Sequence, residues 1–153
     1  MNIHEYQGKK LFRDAGVAVL DGRHCTTVND ALNAYDALGN KVVAVKSQIH
    51  AGGRGAGKFL KPFNEKGGVQ ISNTSEGARK IAMGMMGNTL VTKQTGNEGK
   101  LVKRIYLESG CEIDREYYLS ILLDRNKSKL MLMVSDAGGI DIEDVAEKTP
   151  ERI

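Results

Sequence analysis

The run Val42-Val43-Ala44-Val45-Lys46-Ser47-Gln48-Ile49-His50-Ala51-Gly52-Gly53-Arg54-Gly55-Ala56-Gly57-Lys58 carries more information than any other part of this chain. A β-branched apolar stretch ends in a lysine, and a glycine-rich loop containing one arginine follows. Such a stretch predicts a strand over Val42–Lys46, and its near-continuous apolar character predicts burial on both faces. Glycine allows close backbone approach and positive φ. Successive loop N–H groups can form an anion-binding nest. Arg54 adds a planar fork suited to phosphate oxygens, and Lys46 adds a point charge. The segment reads as a device for holding a polyphosphate. It is neither G-x-x-x-x-G-K-[ST] nor G-x-G-x-x-G, since Lys58 stands where the latter needs its last glycine. A flexible, solvated hairpin loop is the alternative that spacing alone leaves open.

Outward from this run, the pattern alternates helices and strands. Asn2 with Glu5 has capping-box spacing. Ile3, Tyr6, Leu11 and Phe12 predict one apolar helical face to about Ala15, stopped by Gly16. Val17–Leu20 reads as a short strand. Thr27 and Asp30 repeat the capping pattern ahead of a helix through Ala31, Ala34, Tyr35 and Leu38, ended by Gly39. Gly68–Ser72 is a predicted strand. Ser75 to about Met86 is a predicted helix with Ala78, Ile81, Ala82 and Met85 inward. Leu90–Thr92 is a short strand, and 94–100 is a turn-rich link between two lobes. Val102–Glu108, Glu116–Asp124 and Leu130–Ser135 are strands, the last two joined by a hairpin at 124–129. Asp141–Lys148 is a short helix stopped before Pro150. This order suits an α/β (α+β) arrangement of two small mixed lobes.

Composition bounds the function. A chain of 153 residues with 41% apolar content suits one ordinary domain. No apolar run approaches the roughly 20 residues of a membrane span, and the polar, charged stretch 1–13 does not read as a signal peptide. Cys25 and Cys111 stand far apart and outside any C-x-x-C motif, which argues against a cysteine metal site and, with no export signal, against a disulfide. A net charge of +3, no tryptophan and 5% aromatics argue against a nucleic-acid platform.

Four stretches in order make a specific match: Met1-Asn2-Ile3-His4-Glu5-Tyr6-Gln7, Val45 through Gly55, Leu90-Val91-Thr92-Lys93-Gln94-Thr95-Gly96, and Gly138-Gly139-Ile140-Asp141-Ile142-Glu143. Together they closely resemble the β subunits of succinyl-CoA synthetase (succinate–CoA ligase, ADP-forming), from Met1 to Ile153. The resemblance implies an ATP-grasp fold, with two lobes around a nucleotide cleft. About 20–95 would form one lobe, and 1–19 with 100–153 part of the other. It implies the interconversion of succinyl-CoA, phosphate and ADP with succinate, CoA and ATP, a step of the tricarboxylic acid cycle. The phosphoryl group would travel on a histidine of a separate α subunit, in a cytoplasmic or mitochondrial-matrix heteromer.

By the same resemblance, Lys46 contacts the phosphates, and Gly53, Arg54 and Gly55 form the phosphate loop. Glu108 is the hinge residue beside the base, Cys111 lies near the base, and Glu116 lies near the ribose. The magnesium ligands and the C-terminal CoA-ligase domain of this family have no counterpart among the 153 residues. The chain is therefore expected to be a fragment, inactive alone. A malate–CoA ligase β subunit, or a non-catalytic nucleotide-binding or docking module, are the rival readings. His50 reads more readily as a loop-orienting residue than as a base. Glu112 and Asp114 have no role in the resemblance, and Met83, Met85 and Met86 read as core filler.

Overall fold

Every partner of the Val43–Ser47 strand (β2) is antiparallel, and its position in the sheet explains its double burial. The computed structural model describes residues 2–39, 41–140 and 142–153. A four-stranded sheet runs β1 (Gly22–Cys25), β7 (Ile105–Ser109), β2, β4 (Val69–Ser72). β2 is central, pairing with β7 on one side and β4 on the other. Val45 lies opposite Leu107, and Lys46 opposite Tyr106. Because side chains alternate across a strand, Val43, Val45, Ile105 and Leu107 share one face. Lys46, Glu108, Tyr106 and His24 share the other. The first face is the core, packed with Ala31, Ala34 and Tyr35 from α2 (Val28–Ala37) and with Ala78, Ala82 and Met85 from α3 (Ser75–Met85).

The second face is polar, and this corrects the reading of α1 (Glu5–Asp14). The sequence predicts an apolar inward face, yet no residue of α1 is buried, and Leu11 and Phe12 are 60% and 57% exposed. The side of the helix that meets the sheet carries Glu5, Tyr6 and Lys9. A sheet face bearing Lys46 and Glu108 offers ion pairs, not apolar area, so the helix turns its charged stripe inward. The cap also differs: His4 is the N-cap, and the Gln7 side chain accepts from the His4 N–H at 2.8 Å. Gly16 ends the helix as predicted, with φ +79° and Val17 donating to the Phe12 carbonyl.

No strand forms at Val17–Leu20. Of the stretch 17–25, residues 22–25 pair with β7, and Val17 and Leu20 face solvent. The α2 cap is as read: the Asp30 N–H donates to the Thr27 hydroxyl, and the Asp30 carboxylate accepts from the Thr27 N–H. Gly39 follows with φ +83°. Segment 94–100 closes a hairpin, because β5 (Thr89–Val91) pairs with β6 (Lys100–Leu101), and β3 (Lys58–Phe59) adds to β5. Gly96 and Gly99, both at positive φ, make that tight return.

The chain divides into two compact units, Met1–Gly110 and Cys111–Ile153. The second contains a hairpin of β8 (Tyr118–Asp124) and β9 (Lys129–Ser135), followed by α4 (Ile142–Lys148). The Asp124 carboxylate accepts from the Asn126 and Lys127 N–H groups, an Asx-type turn that sets the hairpin. Asp141, read as the start of the last helix, lies outside the described residues.

Candidate functional site

Lys46 leaves the end of β2 on the polar face of the sheet. Arg54 leaves a short 3₁₀ turn, Arg54–Ala56, that the glycine loop makes two residues after Gly52. Gly53 stands at φ +69°, a conformation that costs other residues energy, and it turns the chain into that helix. Gly55 is different: a Cβ there would meet nothing within 4 Å. Packing around its Cβ position does not demand glycine at 55, although its carbonyl lies close against Gly67. The loop is tied down on both flanks. Gly68 donates to the Arg54 carbonyl at 2.8 Å, and the Gln94 side chain accepts from the Gly52 N–H at 2.7 Å.

The two cations converge. Lys46 Nζ lies 3.0 Å from Glu5 Oε1, and Arg54 Nη2 lies 2.9 Å from Glu5 Oε2. Arg54 Nη1 also donates to the Ser47 carbonyl at 2.6 Å, which locks the guanidinium against the end of β2. Glu108, buried on β7, receives both Lys46 and Lys9. Burial by itself would push the Glu5 carboxyl up. The Lys46 and Arg54 charges, with their hydrogen bonds, outweigh it and hold the carboxyl at about 2. A cleft of about 470 Å³, lined by Glu5, Ile49, His50, Gly52, Arg54 and Gln94, opens beside this cluster.

Lys46, Gly53, Arg54, Gly55 and Glu108 thus belong to the first unit, where Glu5 joins Lys46, Arg54 and Glu108 in one charged network. Cys111 and Glu116 belong to the second unit. Cys111 is an exposed free thiol. The Glu116 carbonyl accepts from Gly138, and a Cβ at Gly139 would fall 2.5 Å from Glu116 Oε2.

Glu5 is the residue that reading the sequence missed. It was assigned to helix capping, although it stands four residues before Lys9 and inside the Met1–Gln7 stretch that the resemblance singled out. The histidines were also placed separately, yet they form one ladder. His50 stacks on His4 at 4.1 Å, and His24 stacks on Tyr6 at 4.2 Å. Burial first, then neighbouring cationic and imidazole groups, hold His4 below its ordinary value. Stacking on His4 is what holds the His50 ring here, and no acid partner for proton transfer touches it among the hydrogen bonds described.

Among the described residues, no three His, Cys, Asp or Glu side chains converge to hold a metal ion. The two carboxylates of the network, the partly exposed Glu5 and the buried Glu108, are both committed to cations. This donor set does not fit a magnesium ion.

A nucleotide-binding class is what a polar sheet face, a strand-end lysine and an arginine-bearing glycine loop describe together. Residues 2–153 match the ATP-grasp domain family, and the chain belongs to it. Among its relatives are three proteins named succinate–CoA ligase (ADP-forming) subunit beta. That of Acidiphilium cryptum is 54% identical over 153 residues, covering 100% of this chain and 38% of the relative. That of Bacillus cytotoxicus is 50% identical, covering 100% and 37%. That of Cereibacter sphaeroides is 51% identical over 154 residues, covering 100% and 39%. The chain therefore spans less than two fifths of the length of these relatives.

Proposed function

We propose that this chain is the nucleotide-binding part of a succinate–CoA ligase (ADP-forming) β subunit. In that role it holds ATP or ADP while succinyl-CoA and phosphate are interconverted with succinate and CoA. The observation that carries the reading is convergence. Lys46 and Arg54, eight positions apart, reach a single carboxylate at 3.0 and 2.9 Å, so both can serve one anion. Phosphoryl transfer asks the protein mainly for positioning and for neutralising charge on phosphate oxygens. Lys46, Arg54 and the loop N–H groups at Gly53 and Gly55 supply both.

Glu108, Cys111 and Glu116 take the base and ribose side in this reading. The lobe division at about 20–95 against 1–19 and 100–153 belongs to it too. A nucleotide of this kind travels with Mg²⁺. Among the described residues no donor set fits the ion, and the resemblance puts its ligands outside these 153 residues. The α subunit, carrying the phosphohistidine, is the proposed partner, and the cytoplasm the proposed compartment. The relatives' names, as beta subunits of a ligase, support a partner subunit.

The test is titration calorimetry of the full-length protein with ATP and GTP. A charge-assisted contact is worth about 1.5–3 kcal/mol, so Arg54→Ala is expected to weaken ATP binding about tenfold or more. An Arg54→Ala protein that binds ATP as tightly as the parent overturns the phosphate assignment. No heat with either nucleotide from the parent protein favours a docking module instead.

A further inference from the structure

We propose that Glu5 is a positioning residue of the polyphosphate site: its carboxylate fixes Lys46 and Arg54 relative to one another and ties nucleotide binding to the first turn of α1. This rests on the nucleotide reading above and assigns a role to a residue outside the glycine loop.

The geometry separates the two cations onto two oxygens. Glu5 Oε1 takes Lys46 at 3.0 Å, and Oε2 takes Arg54 at 2.9 Å and Gln48 Nε2 at 3.3 Å. Each cation keeps donors for a ligand. An ammonium has three, of which Lys46 gives one to Glu5 and one to Glu108. A guanidinium has five, of which Arg54 commits one to Ser47 and one to Glu5. The carboxylate therefore anchors the cations without exhausting them. The charge count agrees: Lys9, Lys46 and Arg54 face Glu5 and Glu108, leaving one net positive charge for an incoming phosphate.

Without Glu5, Arg54 would keep only its Ser47 anchor, on a loop whose Gly53 and Gly55 give the backbone freedom. Lys46 and Arg54 would then repel one another with only Glu108, on the Lys46 side, to offset the charge. Preset placement of binding groups lowers the ordering cost of association. No α1 residue is buried, so the helix has little apolar packing to hold its first turn, and the ion pairs do that work.

Two effects oppose each other when Glu5 is removed. Lost placement weakens binding, and the extra net positive charge strengthens it. Glu5→Gln keeps the shape and removes the charge, and Glu5→Asp keeps the charge and shortens the reach. Positioning predicts that both weaken ATP binding in the full-length protein, Glu5→Gln by about tenfold. Calorimetry reports the dissociation constant separately from the competent fraction, so a variant that merely folds poorly changes the stoichiometry and leaves the constant intact.

The double variant Glu5→Gln/Arg54→Ala decides whether Glu5 acts through Arg54. Additional weakening of less than about twofold beyond Arg54→Ala is expected. Tighter or unchanged binding by Glu5→Gln, while Arg54→Ala weakens it, overturns the positioning role and leaves the nucleotide reading standing. Fully additive losses also overturn it. Unchanged binding by Arg54→Ala removes the phosphate role of Arg54, and the positioning role falls with it; no heat from the parent protein removes the nucleotide reading itself.

Discussion

Glu5 shows how one side chain's environment reverses its intrinsic tendency. Burial disfavours its charged form, yet two cations hold its carboxyl at about 2 instead of 4.5. A carboxylate lowered in the fold contributes stability that is full above its unfolded value and is lost as pH falls toward the folded one. The window here is therefore about 4.5 down to 2. Urea unfolding of the parent and Glu5→Gln at pH 7, 4.5 and 3 is expected to show a gap of about 2 kcal/mol at pH 7 that narrows on acidification. A gap independent of pH would mean that the ion pairs contribute no net stability. Cys25 follows the opposite logic. Burial first, and then Asp30, push its thiol up to about 12, so it behaves as a small apolar core group.

At the scale of elements, β7 is the strand on which both faces of the sheet depend. It lies between β1 and β2. Its Leu107 is fully buried in the core, and its Glu108 anchors the lysines on the opposite face. Leu107→Ala removes apolar volume from a site bounded by two helices and is expected to cost about 2–5 kcal/mol. The urea midpoint of the full-length protein checks this, and a loss below about 1 kcal/mol would mean that the site collapses around the missing atoms. The two helix edges of this sheet illustrate two different stabilising strategies. α2 is capped by Thr27 and Asp30 and buries Ala31, Ala34 and Tyr35. α1 buries nothing and is held through Glu5 and Lys9.

For the molecule as a whole, the two units differ in how far they cover their own apolar surface. The core cluster lies entirely within the first unit. In the second, β8 and β9 align Leu119 with Val134, Ile121 with Leu132 and Leu123 with Leu130 on one face of the hairpin. All six are between 48% and 75% exposed. A contiguous exposed apolar face marks an association surface or an aggregation liability. The 153-residue polypeptide is expected to enhance the fluorescence of anilinonaphthalene sulfonate, and Leu130→Lys with Leu132→Lys to reduce that signal while preserving the far-UV circular dichroism. An unchanged signal would place the dye elsewhere.

Local chemistry by itself determined much of this protein. The Thr27–Asp30 cap, the Gly16 and Gly39 stops, the apolar stripe Ala78, Ala82 and Met85 of α3, and the Asp124 hairpin are all set by neighbours a few residues apart. The closeness of Lys46, at the end of β2, to Arg54, Gly53 and Gly55 in the following loop was legible for the same reason, since they lie within ten positions of each other. What tertiary structure alone decided depends on long-range pairing. The inward face of α1 could not be read from its own pattern, because its partner is a charged sheet face built from residues 46 and 108. Val17–Leu20 looks like a strand but finds no neighbour along β7. The meeting of Glu5 with Lys46, Arg54 and Glu108 joins segments up to 103 positions apart. Only the packing of α1 onto the sheet brings those charges within hydrogen-bond reach, where Coulomb attraction acts with little screening.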